Sequence, residues 1–287
     1  MQLLLALPLP DMAVDFVSDL RMQGLVILLV GLAGGLLPLL TKWNDRKLHN
    51  ALALSTGIFL GAVFLHMLPA LSTAAPEFSG GTASDASAGV HAHGDHGMLF
   101  MWSFVLLGVL AVYLLESLVF RTHDHDDLHR HRAVGYASLV GLSVHALTTG
   151  IGLAAANASG GADHTAGHAA DLAGPVFLAI IAHKAFESFS LMSVFQLAQF
   201  PRRRILQLLI AFSLFTPLGV WAGTAMFSTI GPTGLAVALA LAAGTFLFVC
   251  LTELLPEVFH HKEDIAVKIL FLITGIALMA GVHFLES

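Results

Sequence analysis

Eight separate apolar stretches decide what this chain can fold into. A helix needs about 20 mostly apolar residues to cross a ~30 Å hydrocarbon layer. Stretches of that length occupy residues 21–41, 51–71, 98–120, 133–156, 172–198, 204–227, 232–256 and 265–285. The 287 residues are 56% hydrophobic and only 11% charged, a balance outside that of a soluble globular domain of this size. The expected fold is an all-α integral membrane protein with eight transmembrane helices, forming one transmembrane domain over residues 1–287. The fifth and seventh stretches contain charges and need other helices around them. The segment before the first stretch, MQLLLALPLPDMAVDF, lacks a basic start and is interrupted by Pro8, Pro10, Asp11 and Asp15, so it reads as a pre-helical segment rather than a signal peptide.

Basic residues then set the orientation. Lys42, Arg46 and Lys47 lie in the first loop, Arg121, Arg130 and Arg132 in the third, Arg202, Arg203 and Arg204 in the fifth, and Lys262 in the seventh, with Lys268 just beyond it. The alternate loops, 72–97, 157–171 and 228–231, hold no Lys or Arg. Cytoplasmic loops are enriched in these residues, so the odd-numbered loops are expected inside and both termini outside. Arg21 at the outer flank and Lys184 within a span complete the 13 basic residues. The expected location is the cytoplasmic membrane of a bacterium, with membrane lipid as a partner and no nucleic acid.

The sequence also repeats itself. GIFLGAVFLHMLP (57–69) aligns without gaps with GTFLFVCLTELLP (244–256), agreeing at Gly, Phe, Leu, Leu and Pro and setting His66 opposite Glu253. One copy lies in span 2 and the other in span 7, so they run through the bilayer in opposite directions. Inverted repeats of this kind build carriers that alternate between outward-open and inward-open states. A 3+2+3 arrangement is expected, with spans 1–3 repeated as spans 6–8 and spans 4 and 5 as the central pair.

The central pair carries polar residues that lipid does not tolerate without a reason. Span 4 reads SVHALTTGIG and span 5 reads AHKAFESFS. His145 and Thr149 share one helix face, as do His183 and Glu187. Antiparallel helices facing each other would bring two imidazoles and a carboxylate together, with a threonine hydroxyl or water completing a set suited to zinc or another divalent first-row ion. Gly150 and Gly152 would let a neighbour approach. Cys250 is the only cysteine and lies in an apolar run, so thiolate clusters are excluded. Lys184 either pairs with an anion, for which Glu187, Glu253 and Glu116 are the candidates, or becomes neutral when metal arrives. His66 and Glu253, mirrored by the repeat, suit ion entry and exit, with Glu116 near the inner end of span 3. Pro38 and Pro217 are expected to bend or interrupt their helices.

Histidine tracts fill the loops. Outside are His91, His93 and His96 before span 3, and His164 and His168 before span 5; inside are His123, His125, His129 and His131 before span 4. Flexible His/Asp tracts suit weak, fast metal capture.

In these features the chain resembles the ZIP (Zrt/Irt-like) family of zinc and iron transporters, and within it the histidine-lysine branch that includes eukaryotic zinc-uptake members. The resemblance rests on STGIFLGAVFLHMLP (55–69), HALTTG (145–150), HKAFES (183–188), FSLFTPLGVWAG (212–223) and GTFLFVCLTELLPE (244–257), in the family's order and spans. It implies uptake of a divalent ion into the cytoplasm through a site shared by spans 4 and 5, with His145, His183 and Glu187 as ligands. Ala146 and Lys184 fall where binuclear members hold a second metal, so that second site is expected to be missing. Thr149 replaces the usual acid, and His66 stands where the related branch often has an aspartate. The resemblance further implies an elevator motion of spans 1, 4, 5 and 6 against spans 2, 3, 7 and 8, and a homodimer. Zn2+ is the expected cargo, with Fe2+, Mn2+, Co2+ or Cd2+ as alternatives and no permanently bound cofactor. Two other classes use similar residues: an intramembrane metal-dependent hydrolase and a non-translocating metal sensor. No HExxH motif supports the former.

Overall fold

The computed structural model describes residues 19–40, 43–69, 71, 93–119, 127–160, 173–260 and 263–286. Among them the regular structure is all helical. The helices are α1 (Leu20–Leu40), α2 (Asp45–Gly61), α3 (His93–Val119), α4 (Asp127–Gly160), α5 (Ala173–Leu197), α6 (Arg202–Ser213), α7 (Phe215–Phe248), α8 (Leu255–Phe259) and α9 (Ile265–Glu286). Two π-helical segments extend α2 and α7, Ala62–Met67 and Val249–Leu254. Eight segments are long and apolar enough to cross a membrane: Leu20–Leu40, Asp45–Met67, Gly97–Leu118, His131–Ala158, Val176–Leu197, Arg202–Met226, Ala236–Phe259 and Ile265–Val282. Each overlaps one of the eight stretches expected from the sequence.

Several helix ends have local causes. Asn44 caps α2, its side chain accepting from the Lys47 amide at 2.9 Å, and Asp45 adds a negative charge to the first turn, where the helix dipole favours it. At the end of α5, Gln199 adopts a left-handed conformation (φ 55°) and the Phe200 amide donates back to the Phe195 carbonyl at 3.1 Å. That is a Schellman ending, sealed by contact between the Phe195 and Phe200 rings at 5.1 Å. Pro201 follows, ends the helix and opens α6. Span 6 is broken in its middle: α6 stops at Ser213 and α7 resumes at Phe215, two residues before Pro217, which cannot donate to a preceding turn.

Contacts along α4 show how the chain then turns back. Leu147 and Ile151 meet Gly219 and Gly223 in ascending order, whereas Gly141, His145 and Gly152 meet Val249, Ala242 and Leu239 in descending order. The helical run α7 is therefore not one straight rod: the chain folds back within it between Met226 and Ala236, giving spans 6 and 7 opposite senses.

Helix crossings are close enough to bring backbone against backbone. Gly57 of α2 faces the Leu272 carbonyl of α9, and Gly275 faces Leu54 and Ile58 in return; Gly244 of α7 faces the Val105 carbonyl of α3, and Gly108 faces Leu241 and Thr245. A side chain at any of these glycines would collide with main chain. In the alignment of 57–69 with 244–256, Gly57 pairs with Gly244 and Ile58 with Thr245. The two π-helical segments fall on the same six columns of that alignment.

Spans 3 and 8 are the least buried, and spans 2 and 7 are the most buried, with spans 4 and 5 close behind. Large side chains such as Leu99, Leu106, Leu118, Leu270 and Ile273 are exposed on α3 and α9; that is the face that lipid can cover. The main core, including Phe59, Leu142, Leu191, Phe195, Phe212 and Phe246, lies between α2, α4, α5, α6 and α7, and the polar residues of spans 4 and 5 sit against it.

Candidate metal centre

On α4, the repeating turn places His145 below Thr149. His145 Nδ1 lies 3.0 Å from the Ala242 carbonyl of α7. A carbonyl only accepts, so Nδ1 carries the proton and Nε2 presents its lone pair. Thr149 Oγ1 is 3.3 Å from that Nε2, while the Thr148 hydroxyl is satisfied by the Val144 and His145 carbonyls of its own helix. Phe246 stacks on the His145 ring at 4.1 Å with planes 15° apart and lies 5.6 Å from the His183 ring. One aromatic side chain thus fixes both imidazoles. The Ala242 carbonyl and Phe246 come from span 7 and carry no sequence signal as partners of span 4; only the fold makes them so.

On α5, His183 and Glu187 point toward His145. One ligand atom from each of the three lies within 4.8 Å of the others, and among the described residues this is the one such group of three. All three are buried, with 1% of His145, 5% of His183 and 1% of Glu187 exposed. His183 Nε2 and Glu187 Oε1 have no hydrogen-bond partner. Buried polar atoms without partners are expensive, and two of the three converging side chains hold one. Ligands of a tetrahedral zinc ion stand roughly 3.3 Å apart, so closure onto such an ion needs side-chain movement of about 1.5 Å at most.

Lys184 completes the electrostatics. Its Nζ is 2.9 Å from Glu187 Oε2, and 4.7 Å from the centre of the Phe212 ring. Of the three acids named as its candidate partners, Glu187 is the one it meets in an ion pair. Ala146 is fully buried in the apolar core and offers no ligand atom.

The remaining expected residues fall elsewhere. Glu253 is buried in the second π-helical segment and its carboxyl meets that of Glu116 on α3. His66 lies in the first π-helical segment. His131 was expected in a loop tract but stands inside α4, buried, with Nδ1 2.6 Å from Glu257 Oε1. Likewise His129 belongs to α4, and His93 and His96 to α3, rather than to loops. The physical reason is length: α3 has 27 residues and α4 has 34, about 40 and 51 Å at 1.5 Å per residue, so both helices continue past the hydrocarbon layer into polar sequence. His91, His123, His125, His164 and His168 lie outside the described residues. Glu257, in the TELLPE motif, is a partner that the sequence did not single out.

Fold and site together define an α-helical membrane protein with a buried nitrogen and oxygen donor set between its central helices. The family model described as ZIP zinc transporter matches residues 121–283, and the chain belongs to that family of metal-ion transporters. It is similar to zinc transporter ZIP9-B of Xenopus laevis, 30% identical over 88% of this chain and 89% of the relative. It is also similar to zinc transporter ZIP1 of Danio rerio, 26% identical over 94% and 99%. A segment covering 27% of this chain and 25% of the relative is 38% identical to zinc transporter ZIP1 of Bos taurus.

Proposed function

We propose that this protein carries zinc into the cytoplasm by alternating access, binding one ion at a time through His145, His183 and Glu187, with Thr149 or water completing the coordination. The observation that carries the reading is the convergence of three buried donor groups, two of which hold unpartnered atoms. Two imidazoles and one carboxylate suit zinc, and also Fe2+, Mn2+, Co2+ and Cd2+. The relatives named above are zinc transporters, which favours zinc among these. Lys184 and Ala146 favour a single ion, because the ammonium occupies the place and charge of a second cation.

Alternating access is supported by the paired crossings. The Gly57–Gly275 contact between spans 2 and 8 has its counterpart in Gly244–Gly108 between spans 7 and 3. Gly34 of span 1 against Ala185 of span 5 has its counterpart in Gly219 of span 6 against Leu147 of span 4. The coincident π-helical segments agree with the same inverted repeat. These contacts pair span 1 with 5, 4 with 6, 2 with 8 and 3 with 7, pairings that fit a division into spans 1, 4, 5 and 6 against spans 2, 3, 7 and 8. Asn157 and Gln23, 3.0 Å apart, tie span 4 to span 1 within the first; Arg46 and Asp264 tie the bases of spans 2 and 8 within the second. The His145–Ala242 bond crosses between the bodies, so relative movement releases the imidazole that it orients. Glu253, Glu116, Glu257 and His131 then receive the ion on the cytoplasmic side, with both termini and the even-numbered loops outside.

Purified protein in sealed liposomes tests this reading. Saturable zinc uptake is expected, and replacement of His183 and Glu187 together by alanine abolishes it. Undiminished uptake by that double variant refutes the site.

A further inference from the structure

When a metal ion takes Glu187, Lys184 loses its counter-charge inside the membrane. The surroundings of its side chain contain a second place for the ammonium. A Cβ built on Gly31 of α1 would stand 3.3 Å from Ser188 Oγ, 3.6 Å from Ser213 Oγ and 3.7 Å from Lys184 Cε, so the lysine stem passes this glycine beside two hydroxyls. Both hydroxyls are fully buried and without a hydrogen-bond partner, as is that of Thr216. Ser213 is the last residue of α6. Pro217 has no N–H, so it cannot supply the helical hydrogen bond that the Ser213 carbonyl four residues earlier would otherwise accept. The carbonyl end of a helix favours a cation, and the Phe212 ring already faces Nζ at 4.7 Å. Acceptor hydroxyls, a helix end and an aromatic face thus mark one spot for a cation, at a break in a transmembrane helix of the kind carriers use to hold small cations.

We infer that the break in span 6 is a docking site for the Lys184 ammonium, which swings from Glu187 Oε2 to the hydroxyls of Ser188 and Ser213 when metal binds. The inference rests on the assignment of His145, His183 and Glu187 as the metal site. Lys184 acts as a tethered cation that exchanges one set of acceptors for another. Ser188, Ser213 and Gly31 are then positioning residues: they set how readily Glu187 is surrendered to the cargo.

A background comparison tests this in the full-length protein, with zinc affinity measured calorimetrically in lipid nanodiscs. With Lys184 present, Ser213→Ala should weaken zinc binding about tenfold, the scale of a hydrogen bond to a charged group. In a Lys184→Met background the same change should shift affinity by less than about twofold, as for uncoupled sites. Gly31→Ala, which narrows the lysine's path, should show the same dependence on Lys184, and provides the comparison if Ser213→Ala does not fold. Equal losses in both backgrounds identify packing and overturn the inference, as does no loss when Lys184 is present. Zinc binding that survives replacement of His183 and Glu187 overturns the metal-site assignment itself; binding that needs them but shows no dependence on Lys184 overturns only the docking site.

Discussion

Replacing Lys184 by methionine removes the ammonium while keeping an unbranched apolar stem of similar length. In the protein as it stands, metal must take Glu187 from an ion pair at 2.9 Å, an attraction on the scale of about 1.5–3 kcal/mol. It must then share the site with a positive charge. A divalent ion and an ammonium repel by about 4 kcal/mol at 8 Å with an effective dielectric near 20. Docking of the lysine at the break in span 6 reduces that repulsion without removing it. Each 1.4 kcal/mol is tenfold in affinity, so Lys184→Met should bind zinc at least ~10-fold and up to ~1,000-fold more tightly. Tighter binding slows release, so maximal uptake should fall although the concentration for half-saturation falls too. Competition with a chromogenic chelator gives the affinity, and initial rates of uptake into liposomes give the second quantity. Affinity that is unchanged or weaker in Lys184→Met refutes the reasoning, because it means that the lysine does not compete with the cargo.

Acidification should raise the zinc concentration for half-maximal uptake while leaving the maximum nearly unchanged, because neutral imidazoles and an ionised carboxylate are needed for ligation; uptake rates across a pH series check this, and stronger binding at low pH contradicts it. Phe246→Ala removes the ring that stacks on His145 and flanks His183, an interaction of about 0.5–1.5 kcal/mol, so calorimetry should show zinc binding up to roughly tenfold weaker with the thermal transition retained. Gly57→Ala and Gly244→Ala each drive a methyl into a facing carbonyl, and an overpacking cost of about 1–3 kcal/mol should lower the unfolding temperature in detergent by similar amounts for the two; an increase in either contradicts the close crossings. Thr149→Asp supplies a carboxylate beside the lone pair of His145 and should tighten zinc binding, again read by calorimetry.

Both the membrane fold and the main donors were legible along the chain because each depends on local pattern. Span number follows from length and hydropathy, since lipid forces each apolar stretch to satisfy its backbone within one helix. His183 and Glu187 could be paired from their spacing of four alone, as could His145 and Thr149, because a helix repeats every 3.6 residues. His131 shows the limit of that reading. Its polar neighbours suggested a loop, but a helix that leaves the hydrocarbon layer has no reason to stop, and its partner Glu257 lies on another span.

What the sequence determined by itself is therefore the set of helices, their alternating directions and the residue types at the centre. Tertiary structure alone decided which nitrogen of His145 is free, through the Ala242 carbonyl, and which acid holds Lys184. It alone placed Phe246 against two histidines and Ser213 beside the lysine stem. Apart from the Lys184–Glu187 pair, which lies within one helix, those contacts join residues of different spans, where sequence distance carries no information about distance in space. The sequence supplied donors and a cation; packing set the orientation of one imidazole, the partner of the lysine and the second place to which it can turn.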